Sequence, residues 1–433
     1  VDQFEKTLIR SSIFTGENPV ILVTSQKMSR KICLVTGSRA DYGLLHNLAR
    51  AVQDDPDLEL QLVATGSHLS PAFGQTLQEI EGDGFVPAAT VEMLVSSDRA
   101  TGIARSIALG IIGMADAYDR LKPDVVVVLG DRYEILAAVE AALVCRIPVA
   151  HIHGGEASAG AMDESIRHAI TKMSHIHFVA AEEYRCRVIQ MGESEDRVWN
   201  TGALVIDSLR RLRLLSLRQL SCRYQFDFNR PYGLFTYHPA SYGTTTPAKA
   251  VADTLEVLSK HTDMAIVISG VNADEGNSPV AQEIRRIVAR DPLRHCFRSS
   301  FGHLGYLSLM SHAEVVVGNS SSGMIEAPAL GIPTVNIGNR QAGRLRPASV
   351  IDAGENKREV VAAVRRALSP EFQKKAARRE HPFGKGRAAL LMLDALKTVE
   401  LRGLLCKSFC DFPAGHIDAA RRVKPGNRRR KRG

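Results

Sequence analysis

No apolar run in this 433-residue chain approaches the roughly 18 residues a membrane span needs, and no charged-then-apolar leader with a cleavage site opens it. Neither export nor membrane insertion is expected. Paired cysteines are lacking too. The seven (Cys33, Cys145, Cys186, Cys222, Cys296, Cys406 and Cys410) are scattered and odd in number, with only the last two close together. This excludes a disulfide scaffold and fits a reducing, cytoplasmic setting. No Lys-Ser/Thr follows a glycine-rich loop, so there is no Walker site; no GxGxxG calls for a dinucleotide; no HExxH or cysteine pair calls for zinc. Neither a cofactor nor a metal is expected.

An excess of one charge is also missing from most of the chain. The formal charge of +8 and the pI near 9.1 suggest acidic partners at first. Eight of the 55 basic residues, however, fall in residues 421–433, which contain no acid, leaving 47 basic against 47 acidic groups elsewhere. The body is neutral and gives no reason to expect a nucleic-acid or membrane partner. The tail from 401 to 433 reads as basic and disordered.

What the chain does have is ordinary globular composition, 45% hydrophobic and 24% charged, at a length that suits two domains. Residues 1–27 show no sustained periodicity and read as a disordered extension before Met28. Short β-branched runs then alternate with helical stretches, the pattern of parallel sheets flanked by helices. Strands are expected at Ile32–Val35, Leu58–Ala64, Val125–Leu129, Val149–Ile152 and His177–Val179, with helices near 41–54, 71–82, 100–120, 132–145 and 163–174. A second series repeats the rhythm at Tyr232–Tyr237, Ala265–Ser269, Val315–Val317 and Thr334–Ile337, with helices near 248–260, 279–290, 302–311 and 322–330. The expected organisation is one Rossmann-like domain over 28–205 and a second over 206–383. A helix at 384–400 would return to the first domain. The Leu/Arg-rich stretch 205–230 holds the junction and reads as a solvated helix face.

Polar turns end several of these strands, and in open parallel sheets ligands collect at the carboxyl ends. Residues 315–333 run from an apolar strand through Gly318-Asn319-Ser320-Ser321-Ser322-Gly323 into a helix. Small residues allow close backbone approach, and hydroxyls with free N–H groups can donate to phosphate oxygens; the plainer reading is a serine helix cap. In the first half, Arg39 follows the first strand and Asp131-Arg132 the third. Taken alone, Arg39 could be a surface residue, and Asp41 and Asp131 helix caps. Residues 151–175 gather His151, His153, Glu156, Asp163, Glu164, Arg167, His168 and His175 into one loop and helix, a density of titratable groups suited to general acid/base chemistry. Asp163 and Arg167, four apart, could equally be a helix-face ion pair. His238 ends a strand in the second half, as do Asn272 and Arg340, the last followed by Arg344 and Arg346.

In this order, TGSRADYG, VVVVLGDRYE, HIHGGE with MDESIRHAITKMSH, the His238-Pro239 pair, GNSSSGMIE and INIGNRQAGR resemble the hydrolysing UDP-N-acetylglucosamine 2-epimerases of bacterial sialic-acid pathways, over about residues 30–395. The resemblance implies a GT-B type α/β architecture, with two Rossmann-like domains, parallel sheets and a UDP-sugar in the interdomain cleft. The implied reaction eliminates UDP to give 2-acetamidoglucal, then adds water with inversion at C2, yielding N-acetylmannosamine. It assigns Asp131 and Asp163 as acid/base groups, Arg167 to orient Asp163 or substrate, and His238 to the diphosphate leaving group. Arg39, Arg132, Ser320, Ser321 and Arg340 become phosphate or uridine contacts, Glu326 a ribose ligand and Asn272 part of the nucleotide pocket. Some relatives carry a catalytic Glu where this chain has His153, so that role falls to His153 or to Glu156. Relatives also imply a homo-oligomer, dimer or tetramer. A UDP-N,N'-diacetylbacillosamine 2-epimerase, a non-hydrolysing epimerase and a GT-B glycosyltransferase share the same frame.

Overall fold

The β-branched runs form the strands of two parallel sheets. A computed structural model describes residues 29–71, 76–95, 97, 99–158, 162–239, 246–270 and 277–411. The extension 1–27, Met28, Asn272 and the tail from 412 lie outside the described residues. The first sheet contains β1 (Arg30–Thr36), β2 (Leu58–Thr65), β3 (Ala89–Val91), β4 (Val125–Leu129), β5 (Val149–Ile152), β6 (Ile176–Val179) and β7 (Val198–Asn200) in the order β3-β2-β1-β4-β5-β6-β7. The second contains β8 (Tyr232–Thr236), β9 (Ala265–Ser269), β10 (His295–Arg298), β11 (Val315–Gly318), β12 (Thr334–Ile337) and β13 (Val350–Ala353) in the order β10-β9-β8-β11-β12-β13. Helices cover both faces, the GT-B type of α/β fold. Central strands are therefore apolar on both sides: β4 reads Val-Val-Val-Val-Leu and is buried throughout, which contributes on the order of 10 kcal/mol.

Strand order reverses direction between β1 and β4 in one sheet and between β8 and β11 in the other. Neighbouring crossovers leave on opposite sides there and open a crevice at the carboxyl ends. The helix Arg39–Gln53 after β1 starts on a capping box: Ser38 and Gly37 donate their backbone N–H groups to Asp41 at 2.7 and 2.9 Å. Ser38 is thus the helix cap and Asp41 its N3 partner in the capping box, which sets Arg39 on the helix's first turn.

Four short strands, β3, β7, β10 and β13, are not expected from the sequence; all four lie at sheet edges and are three or four residues long, too brief for a periodic pattern. The helix expected over 71–82 is confined to Leu77–Gly82 within the described residues. The stretch 205–230 forms two helices, Leu204–Arg211 and Leu217–Tyr224. The helix Ala388–Thr398 packs on Arg39–Gln53, its first N–H groups capped by Asp207 at 2.9 and 2.8 Å.

Two features of the fold are not evident from the sequence. The helix Ala100–Leu121 is long and apolar enough to cross a membrane by length and composition, with mean hydropathy 1.2, although glycines and charges interrupt its apolar run; it packs beside Tyr133–Val144 on the first sheet. The tail expected to be disordered from 401 is packed as far as 411. Leu404 is buried in the first core, and Lys407 reaches the carbonyls of Lys172 and Ser174 and the carboxylate of Glu193 at 2.5–3.1 Å. Phe409 lies over Gly192, where a Cβ would fall 2.4 Å from its ring. The buried Leu404 and the pairing of Lys407 with Glu193 hold a segment whose other side chains are mostly exposed.

Candidate active site

The two crevices face each other and enclose a cleft of about 810 Å³. Arg39, Asp131, Arg132 and Asp163 reach it from the first sheet, and His238, Ser320, Ser321, Glu326 and Arg340 from the second. His153, Glu156 and Arg167 stand behind the first wall rather than on it.

On the first wall, Gly130 turns out of β4 with φ +82, a left-handed conformation that glycine takes without strain. The turn delivers Asp131 to Arg167, which donates to it from below. Arg167 is 1% exposed and also donates to the Glu156 carbonyl at 2.9 Å, Ser158 Oγ at 2.6 Å and Glu164 at 2.9 Å. The helix-face pair expected between Asp163 and Arg167 is therefore not formed: Arg167 points inward to Asp131 and to Glu164, three residues before it. Burial alone would raise the Asp131 carboxyl, but Arg167 and then Arg344 outweigh it and hold the group below its ordinary range. Burial would likewise lower the Arg167 guanidinium, and the Asp131 and Glu156 carboxylates reverse that shift.

Behind this wall His153 sits at φ +68, and its Nδ1 lies 2.6 Å from Glu156 Oε1. The other Glu156 oxygen meets Arg344, from the second unit, at 2.8 Å. Glu156 is 2% exposed; burial opposes its ionisation, yet Arg344 and His153 pull it down to about 2. His153 Nε2 is buried with no hydrogen-bond partner among the described residues.

The second wall begins where β11 ends. Gly318, at φ +137, lies so close to β8 that a Cβ would fall 1.9 Å from the Thr236 carbonyl oxygen. Asn319 then locks the neighbouring strand end, accepting from the His238 N–H at 2.7 Å and donating to its carbonyl at 2.8 Å. Ser320 caps the short turn Ser321–Gly323, and Ser322 is held by the Tyr306 hydroxyl at 2.8 Å. Arg340 donates to the Asn319 carbonyl at 3.3 Å and reaches across the cleft to Asp163 at 3.4 Å. Arg39 Nη1 and Arg340 Nε are buried without partners among the described residues, an arrangement that suits an anion. Burial pushes the carboxyl of Glu326, largely buried at the edge of the cleft, up to about 7.

Asn319, Tyr306, His303 and Arg344 are structural finds. Asn319 lies inside the serine loop, where the hydroxyls drew attention away from its cross-strand amide. Tyr306 and His303 come from the helix Gly302–Ser311, which no strand-end motif announces. His303 fits because Gly43 has no side chain; a Cβ there would lie 2.7 Å from the imidazole. Arg344 is part of the arginine run after β12, but its carboxylate partner is distant in sequence. No group of three or more His, Cys, Asp or Glu suited to a metal occurs among the described residues.

Two carboxylates on one wall of a cleft, across from cations and hydroxyls on the other, suit proton transfer on a ligand that carries an anionic group. Known proteins share this frame. The family model described as UDP-N-acetylglucosamine 2-epimerase matches residues 50–397. The chain is 37% identical over 384 residues to the GDP/UDP-N,N'-diacetylbacillosamine 2-epimerase (hydrolyzing) of Campylobacter jejuni, covering 88% of this chain and 99% of that protein. It is 34% identical over 387 residues to the polysialic acid biosynthesis protein P7 of Escherichia coli, covering 89% and 98%. In fold it is similar to the UDP-GlcNAc 2-epimerase of Neisseria meningitidis bound to UDP-GlcNAc, with TM-score 0.73 at 21% identity, covering 84% of this chain and 99% of that one.

Proposed function

The chain belongs to the hydrolysing UDP-N-acetylglucosamine 2-epimerase family, and from that premise we propose that it converts UDP-N-acetylglucosamine and water to N-acetylmannosamine and UDP. The observation that carries this reading is the placement of Asp131 and Asp163 on one wall of the cleft, opposite Ser320, Ser321, His238 and Arg340 on the other.

In the first step the C2–H bond breaks, its electron pair forms the C1–C2 double bond, and the C1–O bond to the diphosphate breaks, giving 2-acetamidoglucal and UDP. Water then adds its oxygen to C1 while a proton reaches C2 from the opposite face. Asp131 and Asp163 handle these protons. Arg340, which reaches Asp163 across the cleft at 3.4 Å, is placed to turn to the entering diphosphate and leave Asp163 facing the sugar. Arg167 fixes Asp131 in place, and Glu156 orients His153 toward the same region. His238, held through its backbone by Asn319, meets the leaving diphosphate; Arg39, Arg132, Ser320 and Ser321 hold phosphate or uridine, and Glu326 the ribose. Asn272 belongs to the nucleotide pocket in this reading.

A second substrate has specific support. Leu94, Val95 and Ile103 line the cleft along with Leu129 and Tyr133, which flank the Gly130–Arg132 turn. Such a wall suits the 4-acetamido and 6-methyl groups of UDP-N,N'-diacetylbacillosamine, the sugar named in the Campylobacter relative. The test is to incubate the enzyme with each UDP-sugar and follow products by NMR. Free 2-epimerised sugar with stoichiometric UDP supports hydrolysis; an equilibrium mixture of two intact UDP-sugars contradicts it. Turnover of the diacetylated sugar alone moves the assignment to the second substrate.

A further inference from the structure

The Tyr306 hydroxyl sits in the middle of a chain of four. It lies 2.8 Å from Ser322 Oγ and 3.1 Å from Thr236 Oγ1, and Ser322 Oγ in turn lies 3.0 Å from Ser320 Oγ. Three elements meet in this chain: Thr236 ends β8, Tyr306 stands on the helix Gly302–Ser311, and the two serines belong to the turn after β11. All four residues line the cleft.

Each hydroxyl has one hydrogen to donate, so the chain has only two possible directions. Run inward, from Ser320 to Thr236, it would leave its last hydrogen on Thr236, which is 4% exposed and whose hydroxyl has no second partner among the described residues. That direction strands a buried donor. Run outward, Thr236 donates to Tyr306, Tyr306 to Ser322 and Ser322 to Ser320, and the hydrogen left over belongs to Ser320 at the more open end. Ser320 Oγ then accepts twice, since the Ser322 backbone N–H also points to it at 3.4 Å. Its lone pairs are engaged from the protein side, and its own hydrogen is turned away from them. Hydrogen bonds linked in series polarise one another, so the terminal hydroxyl is a stronger donor than a lone serine. Burial pushes the Tyr306 phenol above its ordinary range, which keeps it protonated and able to donate.

We propose that Tyr306 is a positioning residue for the diphosphate: through Ser322 it turns the Ser320 hydroxyl hydrogen outward, so that Ser320 meets a phosphate oxygen as a preset donor. Its role rests on the reading of Ser320 as a diphosphate contact, and it falls to the phenol oxygen, not to the ring.

The test is UDP affinity of the full chain by titration calorimetry, with thermal melting confirming the fold of each variant. Tyr306→Phe keeps the ring and removes the relay; it is expected to raise the UDP Kd about 10-fold, the scale of one oriented hydrogen bond to a charged group. Ser322→Ala cuts the chain one hydroxyl later and should match it. The deciding variant is Tyr306→Phe in a Ser320→Ala background, which should bind within about 2-fold of Ser320→Ala alone, because the relay then has no hydroxyl to orient. A role in packing the loop would persist in that background. Tyr306→Phe binding as tightly as wild type, or a loss undiminished beside Ser320→Ala, would each overturn the proposal. A wild type that binds no UDP would overturn it together with the proposed reaction, whereas the same coupling in a protein that binds UDP but does not turn over UDP-N-acetylglucosamine would uphold it and refute the reaction alone.

Discussion

Replacing Glu156 with Gln separates a group that holds the site together from one that reacts in it. The carboxylate is buried between His153 at 2.6 Å and Arg344 at 2.8 Å, and it stands behind the cleft wall. A glutamate that ordinarily titrates near 4.5 but is drawn down to about 2 is stabilised in its charged, paired form by about 3 kcal/mol. Gln keeps the shape but cannot neutralise Arg344, so the variant is expected to be less stable by about that amount at pH 7, comparable with other broken buried pairs. The pH dependence has a defined sign. Because the folded value is depressed, the stabilisation is complete above the unfolded value and is lost as pH falls toward the folded one. Urea unfolding of both proteins across pH should show a constant gap above about 5 that narrows as pH drops from about 4.5 toward 2. Turnover should fall far less than in Asp131→Asn. The reasoning is refuted if Glu156→Gln unfolds at the wild-type urea concentration yet loses turnover, for then the carboxylate takes part in the chemistry and does not serve as a brace.

Other outcomes follow from the same geometry. Arg167→Met leaves Asp131 buried without its principal cation; kcat should drop at least about 100-fold, with the acidic limb of the rate profile moved to higher pH, read from initial rates between pH 5 and 9. Glu326 titrates near 7, so UDP affinity should weaken as pH falls from about 8 to about 6 while Glu326→Gln stays flat, measured by calorimetry. Gly318→Ala drives a methyl into the Thr236 carbonyl at an unfavourable φ, and should either prevent folding or raise KM through a displaced serine loop, which thermal melting and kinetics distinguish. Deleting residues 421–433 should leave turnover unchanged, because the predicted anion contacts belong to cleft residues, whereas Lys407→Met should lower the melting temperature by removing one of the two lysines on buried Glu193, which keeps Lys172 and His177.

Legibility in the sequence followed how local each signal was. Val125–Leu129 is uniformly apolar and cannot be other than a central strand, and the Gly-Asp-Arg turn after it is contiguous, so strand and turn were readable together. Edge strands such as Ala89–Val91 and Val198–Asn200 carry too few residues to show alternation. Side-chain partners were harder still. Spacing suggested Arg167 with Asp163, but the buried cation is taken by Asp131, thirty-six positions earlier, because sheet order sets β4 beside β5 and so brings the two turns together. Arg344 with Glu156 and Arg340 with Asp163 join opposite units, and nothing in either segment encodes the other. The tail misled for a related reason: its basic residues suggested solvation, while Leu404, Lys407 and Phe409 find partners only on the folded surface.

The proposed reaction removes and replaces the hydrogen at C2 while UDP departs. Turnover of UDP-N-acetylglucosamine in deuterated water, with the free sugar examined by proton NMR and mass spectrometry, tests it most directly. N-acetylmannosamine carrying one deuterium at C2, released with an equal amount of UDP, is the expected product, and none is expected from Asp131→Asn. Product that retains its original C2 hydrogen would contradict it.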